Sequence, residues 1–316
     1  MQYLIVILDD AAPSFCHYPN PNRPSHLMRL ESLKRVIHIA QRQGWMLNCL
    51  VGETVLPSDY IEALDVINHV IIANRPIEDS PFENVTVLDY DCQLKNFNGH
   101  VESNLILRID KDDLSHLTET INALKGKFHR LNVTILRQEL FSGTNFNVYK
   151  GQLEMLSELI RGDKNFDGVE INILTDRLFL YKQNHCGAGI KHVTIAPNEN
   201  FYLCPAFYYE SPEKAAIGNL EHGISIKNQH LLRLEYAPIC RVCDAYHCKR
   251  CIWLNRKTTM ELNTPSHEQC LIAHCERQAS YSLLNEIRKA DPNFFLDSDL
   301  NEIDYMDPFE KVKRFK

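Results

Sequence analysis

The stretch YLIVIL (residues 3–8) is an unbroken apolar run rich in β-branched side chains. A run without polar alternation marks a strand buried on both faces, as in a parallel sheet covered by helices. The loop APSFCHYPNPNRPS (12–25) follows, and then HLMRLESLKRVIHIAQRQG (26–44). In that segment Leu30, Leu33, Val36, Ile37 and Ala40 recur at helical spacing, and Gly44 stands at the expected stop. The same alternation predicts strands over 46–51, 69–73, 85–89, 104–109, 132–137 and 169–175. It predicts helices over 58–67, 112–127 and 148–161, with Leu114, Leu117, Ile121 and Leu124 inward in the second. Strands separated by helices imply a mainly parallel sheet with right-handed crossovers, either doubly wound or a partial or full β/α barrel. Periodicity does not choose between these, but both gather function at the C-terminal ends of the strands, where the loop holding Cys16 lies.

Whole-chain properties exclude several classes. The 316 residues suit two domains at the usual ~100–200 residues each. A net charge of -7 gives no electrostatic reason to expect nucleic acid or an anionic membrane as a partner. No apolar run approaches the ~20 residues of a bilayer span. The start MQYLIVILDD lacks a basic leader and a small-residue cleavage site, so a cytoplasmic location is expected, where disulfides are disfavoured.

Of the 11 cysteines, only Cys16, Cys49 and Cys92 precede residue 180. Cys186, Cys204, Cys240, Cys243, Cys248, Cys251, Cys270 and Cys275 fall within the next hundred residues. The spacing sets a thiol-poor domain (1–180), a thiol-rich domain (181–280) and a helical and polar tail (281–316), with a helix over 281–287 and a solvated acidic end, DSDLNEIDYMDPFEK. In the thiol-rich part the helical rhythm stops. HVTIAPNENFYLCP reads as a hairpin with strands over 192–196 and 201–205, and a short polar helix is expected after IGNL (217–220). The block CRVCDAYHCKRC (240–251) holds two C-x-x-C pairs only four residues apart. A C-x-x-C turn aims two thiolates at one metal, but a single zinc finger or ribbon separates its pairs by about 12–20 residues. Eight thiols would serve two four-cysteine centres, of zinc or of iron–sulfur. His185, His247, His267 and His274 lie near the cluster and are read as surface or capping residues before ligands. Cys49 and Cys92, alone in strand-like contexts, read as buried thiols.

The order CGAG…TIAPNENFYLCP…IGNLEHG…CRVCDAYHCKRC…C resembles the SPASM domain, an iron–sulfur extension of radical SAM enzymes that modify peptides. Glu199 replaces the family's turn glycine, and the central block is slightly short. By position, the resemblance implies one auxiliary 4Fe-4S centre at Cys186, Cys204 and Cys251, with Cys275 or an open iron in fourth place. It implies a second at Cys240, Cys243, Cys248 and Cys270. The front half is similar to a radical SAM barrel in degenerate form, a partial β/α barrel. The loop SFCHYPNPN keeps Cys16 at the first position of the C-x-x-x-C-x-x-C motif, but Asn20 and Arg23 stand at the others. Of a Gly-Gly-Glu-Pro element, Gly52 and Glu53 survive. S-adenosylmethionine cleavage is therefore not expected of this chain.

The layout most resembles the CXXX repeat peptide maturases of Bacteroidales. That resemblance implies the maturation of a small ribosomally made cysteine-repeat peptide, whose thiolate an open iron would suit. Three readings stand beside it: a noncatalytic recognition partner of an active radical SAM enzyme, a zinc-stabilised binding module, and a barrel with unrelated strand-end chemistry at Glu53, Arg108, Arg137 or Glu170.

Overall fold

The computed structural model describes residues 1–53, 55–74, 83–90, 94, 97, 103–294 and 300. Cys92 and all but Leu300 of the acidic end lie outside the described residues. The chain is a mixed α/β protein built on one nine-stranded sheet. Its strands are β1 (Tyr3–Ile7), β2 (Met46–Leu50), β3 (His69–Ala73), β4 (Glu83–Asp89), β5 (Asn104–Asp110), β6 (Arg130–Leu136), β7 (Glu170–Ile171), β8 (His192–Ile195) and β9 (Phe201–Tyr202). Their spatial order is β7-β6-β5-β4-β3-β2-β1-β8-β9. Neighbours from β7 to β8 pair in parallel, and β9 returns antiparallel to β8. Seven strands thus follow in chain order, as in the wall of a β/α barrel, and β8 adds on the other side of β1. Among the described residues β7 and β9 remain free edges, so the wall is open.

The first strand shows why its sequence is apolar throughout. Leu4, Val6 and Leu8 pack under α1 (Leu30–Gln43) and α2 (Ser58–Leu64). Ile5 and Ile7 face the other side with Leu50, Val70, Ile72, Val87 and Ile106. The α1 helix buries Leu33, Val36, Ile37 and Ala40, and Gly44 ends it in the left-handed conformation at φ 66°. Burying each of the three larger side chains stabilises the fold by roughly 1.5–3 kcal/mol. On the far half of the sheet, α3 (Leu117–Ala123) and α4 (Gly143–Gly162) cover β5 and β6.

Several boundaries depart from the periodicity for local reasons. Leu114, Leu117, Ile121 and Leu124 are all buried, yet the helix expected over 112–127 is a 3₁₀ turn followed by α3, and the chain turns at Gly126, φ 73°. The α4 helix starts five residues before the expected 148 because Ser142 and Asn145 form a reciprocal cap. The strand expected over 169–175 shortens to β7. Beyond it the Asn172 amide accepts from Val133 N at 2.7 Å and donates to Val133 O at 3.0 Å, taking the place of a backbone pair, and α5 (Asp176–Phe179) follows. The strand expected to reach Pro205 ends at Tyr202, and Pro205 opens α6 (Pro205–Glu210), where a proline loses no helical hydrogen bond. β10 (Gly218–Asn219) lies within IGNL, and β11 (Gly223–Ile224) and 3₁₀ turns follow in place of the expected polar helix. Two helices close the chain, α7 (Ile252–Thr259) and α8 (His267–Ala290). The helix expected over 281–287 is the end of α8, so residue 280 lies inside a helix.

The β8–β9 hairpin turns at Glu199, whose φ of 65° is left-handed. The resemblance places a glycine there, and a Cβ in that region is strained by roughly 1–2 kcal/mol. The carboxylate ties the turn to α1: it accepts from Ser32 Oγ at 2.6 Å and from Arg29, with Arg35 at 4.0 Å. Ser32 first, then Arg29, hold the carboxyl below its usual range. Glu199→Ala and Glu199→Gly lose the same contacts, but only alanine keeps the strain. Urea denaturation is expected to find the alanine variant about 0.5–1 kcal/mol less stable than the glycine variant.

Candidate functional site: a thiol-lined cavity inside the sheet

The loop after β1 is fixed by polar contacts at the C-terminal ends of the strands. Asp9, fully buried, accepts from Ala11 N, His26 N and Ser25 Oγ at 3.0, 3.1 and 2.9 Å. Gly52 makes room for that carboxylate, since a Cβ there would come within 2.6 Å of Asp9 Oδ2. Glu53 accepts from Asn74 Nδ2 at 3.3 Å. Asn20 accepts from Ser14 N at 2.9 Å and from Arg108, and donates to Asp89 at 2.7 Å. Arg108, buried, pairs with Asp89 at 3.0 Å and donates to Tyr18 O at 3.1 Å. Arg23 lies 3.9 Å from Asp10 and stacks over the Tyr208 and Tyr209 rings at 4.6 and 5.2 Å. The positions Asn20 and Arg23 therefore carry a hydrogen-bonded and stacked plug. Of the other strand-end charges, Arg137 pairs with Asp110 and Asp112, and Glu170 with Arg130.

A cavity of about 490 Å³ opens between the inner face of the sheet, the thiol-rich segment and α8. Tyr3 and Ile5 of β1, Asn48 of β2 and Ile106 of β5 line it on one side, and Gln269 and Glu276 of α8 on the other. Cys16, Cys186, Cys204, Cys248 and Cys251 line it as well. Cys16, Cys186, Cys204 and Cys251 all pack on the inner-face apolar cluster with Ile5, Tyr202 and Trp253. Cys204 and Cys251 occupy the N-caps of α6 and α7.

Burial pushes all four of these thiols up, Cys251 to about 12. Their charges also reach one another, since Cys186 and Cys251 raise Cys16, and Cys251, Cys186 and Cys16 raise Cys204. Opposing this, backbone N–H groups of Ala188, Ala206 and Trp253 donate to Cys186, Cys204 and Cys251. Lys249 and Lys191 act on Cys186 in the same direction. His192, 2% exposed, stacks on Tyr3 and sets Nε2 3.9 Å from Cys186 Sγ. Its Nδ1 has no hydrogen-bond partner, and burial lowers its pKa to about 4, so the ring is neutral. Nothing in the strand HVTI marked His192 beforehand.

Cys240, Cys243, Cys248 and Cys270 form a second group. Burial raises Cys240 to about 11, with the charges of Cys270 and Cys243 next. Cys248 rises to about 12, with Cys243 and Cys240 adding to burial, and Cys270 to about 11 with Cys243. Ala245 N donates to Cys243 Sγ at 3.4 Å, and His274 Nε2 stands 3.6 Å from the same sulfur. Cys275 lies apart, packed on the outer cluster of α3, α4 and α8. His185 lines the cavity, lowered to about 4 by burial; His247 meets Glu276 at 3.1 Å; His267 is exposed at the start of α8. Among the described residues no two cysteines form a disulfide. Among the described residues no three His, Cys, Asp or Glu side chains close on one point as a single metal ion requires. No described helix is long and apolar enough to cross a membrane.

The cysteine block is locked to α8 by Asp244. Arg277 donates to both its oxygens at 2.8 and 2.7 Å, and Arg177 of α5 lies 3.5 Å away, over the Tyr246 ring at 4.4 Å.

No family model and no curated protein matches the chain. Among solved structures it is similar to Streptococcus suis SuiB bound to its precursor peptide SuiA, with a TM-score of 0.39 and 14% identity over 73% of this chain. The chain spans 64% of the length of that protein.

Both arginines are at most 1% exposed, so Asp244→Ala takes a paired carboxylate away from two buried cations. Asp244→Ala is expected to cost about 3–5 kcal/mol, read as a fall in the denaturation midpoint.

Proposed function

We propose that the chain serves the maturation of a small cysteine-repeat peptide made by ribosomes, as a radical SAM-like protein with a SPASM-like domain over 181–280. In this reading its cysteines hold auxiliary 4Fe-4S centres, and its degenerate barrel no longer cleaves S-adenosylmethionine. The observation that carries it is the grouping of the thiols, with Cys186, Cys204 and Cys251 on the inner-face apolar cluster and Cys240, Cys243, Cys248 and Cys270 acting on one another, Cys248 reaching the cavity as well. The order of the cysteines along the chain supplies the peptide-maturation part.

The donor set suits such centres. In a four-iron cluster each thiolate binds a different iron, so the sulfurs stand farther apart than around a single ion. The thiols are half-buried and receive backbone N–H groups, and such bonds stabilise bound thiolate and tune its potential. Lys249 and Arg250 act on Cys186 with the sign that balances an anionic centre. When bound, the clusters would supply an electron path, with any iron left open as a soft acid for a peptide thiolate. The polypeptide's own part is to hold the sulfurs, exclude water and fix the neutral His192 beside Cys186.

The plug at Asn20 and Arg23 favours a second reading within the same class, a recognition subunit that presents the peptide to an active radical SAM enzyme. Protein purified without oxygen is expected to contain iron and acid-labile sulfide in near-equal amounts, with the charge-transfer absorption of 4Fe-4S. Two zinc ions without iron or sulfide would overturn the cluster reading. With S-adenosylmethionine and reductant, neither methionine nor 5′-deoxyadenosine is expected; their formation refutes the degenerate-barrel part. Binding of a synthetic cysteine-repeat peptide, followed by calorimetry, is expected to weaken when Cys186 and Cys204 are replaced, and unchanged affinity argues against substrate recognition near these thiols.

The protonated thiols give loading a pH sign. With values raised to about 11–12 at Cys240, Cys248, Cys251 and Cys270, each must release its proton to bind metal. Reconstitution in weak buffer is expected to acidify the solution, and retention of metal against a chelator is expected to fall as pH is lowered.

A further inference from the structure

We infer that Cys16 is the fourth protein thiolate of the centre formed by Cys186, Cys204 and Cys251, so that this centre is closed and offers no open iron. The inference rests on the iron–sulfur reading above and changes its ligand set. Cys16 lies in the loop after β1, some 170 residues from Cys186 in sequence, so no local spacing connects them. The fold does: Cys16, Cys186, Cys204 and Cys251 line the same cavity and pack on the same apolar cluster. Cys275, the other thiol available for fourth place, does not line the cavity and packs on the cluster of α3, α4 and α8.

The loop is held so that Cys16 stays in position. Ser14 Oγ accepts from Cys16 N at 3.3 Å, and Ser14 N donates to Asn20 at 2.9 Å. Arg108 clasps Tyr18 O at 3.1 Å, and His17 Nδ1 meets Ile135 O at 3.2 Å. Anchors therefore stand on both sides of the thiol. Independently, the buried His192 leaves Nδ1 without a partner at the same cavity, with Nε2 near Cys186. A buried polar atom left unpaired at a cavity is what a site completed by another group looks like. Lys249 and Arg108 act on Cys16, and Lys249, Lys191 and Arg250 on Cys186, which places cationic charge around the thiolates.

Two consequences follow. A centre with four protein thiolates acts in structure or electron transfer, and the peptide docks without ligating it. The centre also staples the first loop of the sheet to the thiol-rich segment, a use of Cys16 separate from binding S-adenosylmethionine.

The test uses the full chain, reconstituted with iron and sulfide without oxygen, as wild type, Cys16→Ala, Cys16→Ser and Cys275→Ala. Both Cys16 variants are expected to lose about one to four irons per chain and to change the electron paramagnetic resonance of the reduced protein. Cys275→Ala is expected to match wild type. Alkylation of the wild type with mass-spectrometric readout removes any dependence on how the variants fold. Loading is expected to protect Cys16 together with Cys186, Cys204 and Cys251 and to leave Cys275 labelled. Equal labelling of Cys16 with and without iron, or unchanged iron in folded Cys16 variants, overturns the inference while leaving the cluster reading in place. A wild type that takes up no iron and sulfide overturns both.

Discussion

Asp244 holds the thiol-rich half against the sheet. Its carboxylate takes Arg277 of α8 and reaches Arg177 of α5, both buried, so one residue of the cysteine block is fastened to two helices at the β7 end. Charges out of water are costly unless paired with good geometry, and the two-pronged Arg277 contact meets that condition. With Cys240, Cys243, Cys248 and Cys251 within a few residues of this anchor, the block cannot slide along the cavity. The Glu199 turn anchors the other flank by tying the β8–β9 hairpin to α1. Between these two anchors the thiol-rich half lies over the inner face of the sheet, with its cavity cysteines half-buried.

The loop after β1 has a related design. In that loop Asn20 joins Ser14, Asp89 and Arg108, and Arg23 stacks on two tyrosines. These contacts satisfy the polar groups of a proline-rich loop that would otherwise be mobile. Gly52 belongs to the same arrangement because it admits the Asp9 carboxylate that caps the turn. Cys16 is left as the loop's single thiol, facing the other half of the protein.

Much of the architecture was legible because it depends on near neighbours. YLIVIL, buried on both faces, and the helical spacing of Leu33, Val36, Ile37 and Ala40 fix elements whose reasons lie within a few residues. Boundaries were less legible where a side chain replaced the backbone, as Asn172 does beside β6, or where a cap began a helix early, as Ser142 does for α4. The helix carrying Cys270 and His274 begins at a Ser266–Gln269 cap well before the expected 281, so the apolar pattern marked only its end.

From sequence alone came the thiol-poor and thiol-rich halves, the alternation that makes a parallel sheet, and the single cysteine of the first loop. These are properties of residue type and local spacing. The tertiary structure decided the strand order, the cavity on the inner face, and the company of each thiol: Cys16 with Cys186, Cys204 and Cys251, and Cys275 in the separate cluster of α3, α4 and α8. It could do so because parallel pairing of β1 with both β2 and β8 brings together segments nearly two hundred residues apart, and no spacing rule reaches across that distance.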